Sequence, residues 1–288
     1  MVDQHLGRAS RLADSIGCLA STDLEVAARA DAVIVATPTE THREVGLQLI
    51  EAGRPLLIEK PLAANFDDVA TLVKASHARG VPLQCGFVER FNPVITLATE
   101  LLDAPPIHLV AIRHSPQNPR AMLNVVGDLL VHDIDLAVHF AGGVEVSDVV
   151  STTWRPETGA YSEIADCTVR FASGMLATLS ASRQSQRKIR NLVVSTPSLL
   201  IELDLLRQDV TVYRHVSHEQ VVGPSTTYRA ETVVDIPFVR HAGEPLALQF
   251  EHFLQLVDGR VDPDAERRRL LPAHEILSRI DDGHPLPP

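Results

Sequence analysis

Lysine is almost absent from this chain: of 26 basic residues, only Lys60, Lys74 and Lys188 are lysines. Positive charge is short as a whole, because 37 acidic residues leave a formal net charge of -11. That balance argues against a general nucleic-acid binder, since phosphate contacts need a basic face. Cysteine is scarce too. Cys18, Cys85 and Cys167 are odd in number, far apart and match no zinc spacing. They fit a reducing, cytoplasmic setting with no disulfide framework. No apolar run approaches the roughly 18 residues of a membrane span, and Met1–His5 lacks the apolar core of a signal peptide. No internal repeat, low-complexity segment or G-x-G-x-x-G turn occurs anywhere. What is present suffices for a packed core: 288 residues, 45% hydrophobic and 22% charged, enough for one large domain or two ordinary ones.

The first third alternates helix and strand. Helices are expected at 7–16, from Thr39-Glu40 to Gly53, and at 66–79, closed by Gly80. Between them, Ala32–Ala36, Pro55–Ile58 and Pro82–Cys85 are short apolar runs. Strands of this kind separated by helices read as parallel βαβ units. Beyond residue 95 the pattern changes. Helices are expected at 94–103 and 122–141. Strands follow at 107–114, 146–154, 164–171, 175–181, 190–195, 199–204, 210–214 and 232–236, with period-two alternation and hairpin-like spacing. Helices at 245–258 and 273–280 close the chain. The expected fold is an α/β Rossmann-like parallel sheet over 1–95, truncated at its amino end. An α+β domain with a large, mainly antiparallel sheet follows over 96–288.

Glu59-Lys60-Pro61 ends the apolar strand at 55–58. A chain so biased toward arginine has kept an amine there, and lysine, unlike arginine, can be tuned to release its proton. Ligands of open α/β sheets bind outside the carboxyl ends of the strands. Lys60 is therefore a candidate proton-handling group; the plain alternative is a surface lysine. The loop Ala36-Thr37-Pro38-Thr39-Glu40-Thr41-His42 also follows a parallel strand and opens a helix. Its amides and hydroxyls suit a cofactor's polar groups, although Thr-Pro is a common helix opener. In Gly127-Asp128-Leu129-Leu130-Val131-His132-Asp133-Ile134-Asp135, Asp128 and His132 stand four apart and are expected on one helix face. Asp135 and His139 extend that stripe, which would face a cleft or solvent. An Asp beside a His can orient the imidazole and stabilise its protonated form. A metal site is the rival reading of the same residue types, and no metal is expected because no zinc-type motif occurs. Finally, Arg90 and Asn92 follow the third strand, within Glu89-Arg90-Phe91-Asn92-Pro93. They suit a polyol or phosphate, or simply a capping turn.

Ala36-Thr37-Pro38…His42, Glu59-Lys60-Pro61 and Asp128-x-x-x-His132-Asp133-x-Asp135, in this order, resemble the glucose–fructose oxidoreductase / inositol dehydrogenase / MocA (Gfo/Idh/MocA) family of nicotinamide-dependent sugar dehydrogenases. The resemblance covers essentially the whole chain. Within the family, Glu89–Pro93, His132–Asp135, Arg187–Arg190 and Asp204–Val210 look most like the branch that oxidises nucleotide-activated amino sugars, such as the UDP-N-acetylglucosamine 3-dehydrogenases. The resemblance implies hydride transfer from a secondary hydroxyl of a sugar or nucleotide sugar to NAD, with Lys60 and His132 flanking the carbinol and Asp128 nearby. His132 is then the preferred general base and Lys60 the group that stabilises the oxygen; the reverse assignment stays open. The implied cofactor set is Asp3, Ala36, Thr37, Pro38, His42, Glu59, Lys60 and Pro61. Asp3 looks like the acid that holds ribose hydroxyls and favours NAD, while Arg8 nearby leaves NADP open. The implied substrate set is Glu89, Arg90, Asn92 and Asp133.

The family's opening strand and glycine turn have no counterpart here, which suggests a start roughly 30 residues upstream, about one βα unit plus a strand. A true truncation and a repurposed chain are the alternatives. The absent strand would be central in the sheet and would leave its neighbours exposed. Two rivals to a dehydrogenase follow: a sugar-ligand-binding protein that lost its cofactor site, and, within the family, an NAD-dependent glycosidase or aldose reductase. A long antiparallel sheet with one face to cover suits a homodimer or homotetramer.

Overall fold

The computed structural model describes residues 1–117, 123–157, 161–222, 225–240 and 243–281. The chain forms two compact units, Met1–Gly86 with Glu251–Leu271, and Phe87–Phe250 with Pro272–Pro288.

The first unit opens with α1 (Leu6–Ile16) and α2 (Leu24–Ala27), followed by β1 (Val33–Val35), α3 (Thr39–Glu51), β2 (Leu56–Ile58), α4 (Phe66–Arg79) and β3 (Leu83–Cys85). The three strands form a parallel sheet in the order β1-β2-β3. β2 and β3 are buried along their length and apolar except at Gln84; edge strand β1 leaves Ile34 51% exposed. Local chemistry sets the limits of α4. The Asn65 side chain accepts the Asp68 N–H at 2.9 Å, Asp67 and Asp68 occupy the first turn, and Gly80 ends the helix at a φ of 64°. Acids belong at a helix start, and glycine tolerates the left-handed end.

The second unit opens with a 3-10 turn (Val88–Phe91) and α5 (Pro93–Leu101), then β4 (His108–His114), a π-helical turn (Val126–Leu130) and α6 (Val131–Phe140). The strands β5 (Val146–Trp154), β6 (Ile164–Phe171), β7 (Leu176–Ser182), β8 (Ile189–Ser195), β9 (Leu200–Asp204), β10 (Asp209–Val222) and β11 (Ser225–Asp235) follow. With β4 they form one eight-stranded sheet in the order β11-β10-β9-β8-β4-β7-β6-β5. All neighbours are antiparallel except β4 and β7, which run parallel. α6 packs against β4 and β7, and it is buried nearly all round, as a mostly apolar helix should be. The chain ends with α7 (Pro245–Val257), α8 (Pro263–Arg268) and α9 (Leu270–Asp281).

The sequence pattern places most of these elements to within a residue or two. Four departures stand out. The helix expected at 122–141 is a π turn leading into α6, and residue 122 lies outside the described residues. The strands expected at 210–214 and 232–236 are the paired ends of a much longer hairpin, whose arms register from Val212↔Asp235 to Val222↔Ser225. The short α2 and α8 were not anticipated. Compact packing also divides the chain at Gly86/Phe87, where a boundary near 95 was expected, and it returns Glu251–Leu271 to the first unit. The reason for that return is hydrophobic: Phe253 and Leu256, 1% and 0% exposed, pack with Leu57 of β2, flanked by Ala32, Val257 and Val261. A three-stranded sheet leaves apolar faces that helices must cover. Truncating such a buried ring typically costs about 3–5 kcal/mol. Phe253→Ala should lower unfolding stability by that amount in urea titrations, although residue 253 is far in sequence from the sheet it covers.

Candidate active site

In the first unit the sheet delivers two loops side by side. Parallel register places Val35 opposite Ile58, so Ala36–Pro38 and Glu59–Pro61 leave the same sheet end. The ladder continues past the strands: Glu59 N–H donates to Val35 O at 2.9 Å, and Gly86 N–H to Ile58 O at 2.8 Å. α3 then begins behind Pro38 without a side-chain cap. The Thr41 hydroxyl donates to Pro38 O at 2.7 Å and reaches the Thr37 hydroxyl at 2.8 Å, which shapes the loop around the helix start.

His42 is 1% exposed, and its ring spans the two loops. Nδ1 lies 3.0 Å from Pro61 O, and Nε2 lies 2.8 Å from Thr37 O. A histidine expected to meet a cofactor thus has both ring nitrogens directed at backbone carbonyls, and it binds the Thr37 loop to the Lys60–Pro61 loop. Lys60 itself is half-buried just beyond β2, with a cis bond to Pro61. Its backbone N–H faces Glu59 Oε2 at 3.3 Å. Gly86 makes this packing feasible: a Cβ there would stand 2.8 Å from Glu59 Oε2 and 3.0 Å from Glu59 Cα. Asp3 lies beside the parallel Val2↔Ser21 bridge, and its carboxylate accepts the His5 N–H at 2.7 Å, at the head of α1.

The second unit carries Asp128 and His132, both half-buried. Asp128 lies inside the π turn, so the 3.6-residue arithmetic behind a shared helix face does not run unbroken from 128 to 132. Single π turns occur frequently at functional sites. The other members of the expected polar stripe meet protein groups. Asp135 is paired with Arg90, with Nε–Oδ2 at 2.7 Å, and His139 Nε2 lies 3.0 Å from the Thr99 hydroxyl.

Glu89, Arg90, Asn92 and Asp133 also have partners within the unit. Arg113, 2% exposed, grips Asp133 with Nε and Nη2, each at 2.9 Å, and holds Glu89 with Nη1 at 2.9 Å. Arg190 adds a longer contact to Glu89 at 3.5 Å. Burial works against the charge on Arg113, but the carboxylates of Asp133 and then Glu89 outweigh it and hold the guanidinium above its ordinary value. Arg190 is pushed down, by burial first and then by the like charge of Arg113. Asn92 caps α5 through the Val94 N–H and donates to Leu205 O at 3.3 Å. Arg90 also lies over the Phe87 ring, 5.2 Å from its centroid.

Arg113 and Arg183 were not singled out from sequence. A signal existed for Arg113, which occupies an inward position after Leu109 and Ala111 in the alternating strand β4. A charge at a core position needs a buried partner. Among the described residues no three His, Cys, Asp or Glu side chains gather as a metal site, and no helix is long and apolar enough to cross a membrane.

Residues 1–87 match the family model described as an oxidoreductase family with an NAD-binding Rossmann fold, and residues 110–196 match the GFO/IDH/MocA C-terminal domain, together more than half of the chain. The UDP-N-acetylglucosamine 3-dehydrogenase of Acidithiobacillus ferrooxidans is 27% identical over 97% of this chain and 88% of its own length. A solved structure of that protein aligns at a TM-score of 0.81, with 26% identity over the same shares of the two chains. The inositol 2-dehydrogenase 4 of Saccharopolyspora erythraea is 35% identical over 62% of this chain and 56% of its own length. The structure of GenD2 from gentamicin A biosynthesis in complex with NAD shares the fold, with a TM-score of 0.78 and 23% identity over 98% of this chain and 86% of that one.

Removing one partner of a buried charge pair costs about 3–5 kcal/mol, because the other charge is left unpaired. Arg113→Met strands Asp133 and leaves Glu89 only its longer contact to Arg190 among the cations of the described residues, and should destabilise the chain by about that range in equilibrium unfolding. Arg43→Met, at an exposed pair with Asp68, should cost less than about 1 kcal/mol.

Proposed function

The chain belongs to the Gfo/Idh/MocA oxidoreductase family, and we propose that it is an NAD-dependent dehydrogenase acting on a secondary hydroxyl of a nucleotide sugar. The observation that carries this reading is the first unit's open sheet end. There two strand-end loops, Ala36–Pro38 and Glu59–Pro61, are bound together by His42 and present Lys60. The residues fit a dinucleotide: the side-chain-uncapped start of α3 and the Thr37 hydroxyl suit polar and anionic groups, and the bare Cα of Gly86 keeps Glu59 close to the sheet. Asp3 is assigned to the ribose hydroxyls, which favours NAD. The nucleotide-sugar choice rests on the relative from A. ferrooxidans, which aligns along nearly the whole chain.

A nicotinamide cofactor held at the Ala36–Pro38 and Glu59–Pro61 loops would supply the hydride acceptor for the carbinol carbon. The chain's own part is to manage the proton and the oxygen. His132 takes the hydroxyl proton as general base, and Lys60 donates a hydrogen bond to the oxygen as negative charge develops on it. Asp128 supports the imidazole in its protonated form. Glu89, Asn92 and Asp133 hold α5 and α6 in place through Arg113 and Leu205, and so shape the substrate site from behind. Cys18, Cys85 and Cys167 form no disulfide, which accords with a cytoplasmic enzyme. The eight-stranded sheet suits pairing of copies into a homodimer or homotetramer.

Titrating NADH and NADPH into the purified chain, followed by fluorescence, tests the cofactor assignment. Saturable binding with NADH preferred is expected, and the absence of any dinucleotide binding beside retained nucleotide-sugar binding would turn the reading toward a ligand-binding protein. With UDP-N-acetylglucosamine and NAD, Lys60→Met should reduce kcat at least about 100-fold, the usual scale for a proton-handling group, while the melting temperature moves little. Wild-type turnover in that variant would remove Lys60 from the mechanism.

A further inference from the structure

We propose that Arg183 is a positioning residue for the reaction: it holds Asp128 and the π turn, and through them sets where His132 stands. The proposal rests on the dehydrogenase reading above.

Arg183 follows β7 directly and is 1% exposed. A guanidinium has five N–H donors in a rigid fork, and each meets an acceptor. Nε donates to Glu163 Oε2 at 3.0 Å, and Nη2 to Glu163 Oε1 at 2.9 Å and Ser162 O at 3.3 Å. Nη1 donates to Leu123 O at 2.8 Å and Asp128 Oδ2 at 3.3 Å. Of these acceptors, Leu123 O lies just before the π turn at Val126–Leu130 and Asp128 Oδ2 within it; Asn124 joins them by receiving Gly127 N–H on its side chain at 2.8 Å. His132 follows only two residues after the turn.

The charges sort themselves. Glu163 meets Arg183 on both oxygens and is 17% exposed, whereas Asp128 meets it through one oxygen and is 31% exposed. Glu163 is thus the neutralising partner. Asp128, held through a single oxygen, is oriented by Arg183. A lysine at 183 would supply the charge without the fork and could not reach five divergent acceptors.

Arg183→Lys, Asp128→Asn and the double variant form the test. Arg183→Lys should lower kcat roughly tenfold or more with the KM for NAD and NADH binding unchanged, and in the Asp128→Asn background it should add little. A wild-type kcat, or an equal loss in both backgrounds, overturns the proposal. If Arg183→Lys does not fold, Glu163→Gln takes its place: it keeps Arg183, loosens its hold, and should show the same kcat loss confined to the Asp128 background. Hydrogen exchange of the 124–132 amides reads the same contact without turnover. A local rise in Arg183→Lys is expected, and an unchanged rate overturns the proposal even if the wild type oxidises no nucleotide sugar. That last result, by contrast, would count against the dehydrogenase reading alone.

Discussion

A charge taken out of water must be met by an opposite charge and by hydrogen bonds, and the second unit is organised around that requirement. Arg113 and Arg183 are almost wholly buried, and Arg90 is little exposed. Arg90 meets Asp135, Arg113 meets Asp133 and Glu89, and Arg183 meets Glu163 and Asp128. Three of these acids lie within eight residues of one another, on the π turn and α6. The helix cannot turn about its axis or slide by one residue without stranding a carboxylate in an apolar interior, at several kcal/mol per ion. Hydrophobic packing alone would tolerate such slippage, because α6 is apolar on most sides. Ion pairing is what gives this helix a single register, and His132 inherits its place from that register.

The first unit solves a different problem. Its strands are only three residues long, so each loop leaves the sheet with little backbone to anchor it. The hydrogen bonds continuing past Val35 and Ile58, the His42 ring between Thr37 and Pro61, and the close contact of Glu59 with Gly86 supply that anchorage. A lysine on a mobile stem is useful to a reaction only if the backbone beneath it stays still.

Much of this was legible in the sequence, for identifiable reasons. α4 has a cap, acids in its first turn and a terminating glycine, so its limits follow from local chemistry. The parallel strands follow from apolar runs between helices, and Lys60 stood out because lysine is so rare. The position of Glu251–Leu271 was not legible, because an amphipathic helix does not announce which sheet it will cover. The long β10–β11 arms were read as short strands because much of their length carries polar residues with little apolar alternation. The π turn could not be read either, since helix periodicity assumes 3.6 residues per turn. His42 looked like a ligand-facing group because type and spacing reveal residue chemistry and say nothing about which backbone carbonyls will claim it.

The return of Glu251–Leu271 to the first unit bears on how the chain is made. A domain at the amino end of a protein ordinarily completes its fold while the rest is still being synthesised. Here the sheet formed by residues 33–85 lacks Phe253 and Leu256 until residues 251–271 have left the ribosome. The apolar surface around Leu57 stays uncovered through the synthesis of the whole eight-stranded sheet. The dinucleotide unit, which begins first in sequence, therefore waits for residues 251–271, and a nascent chain cut short before residue 253 has no complete core on which to close that unit.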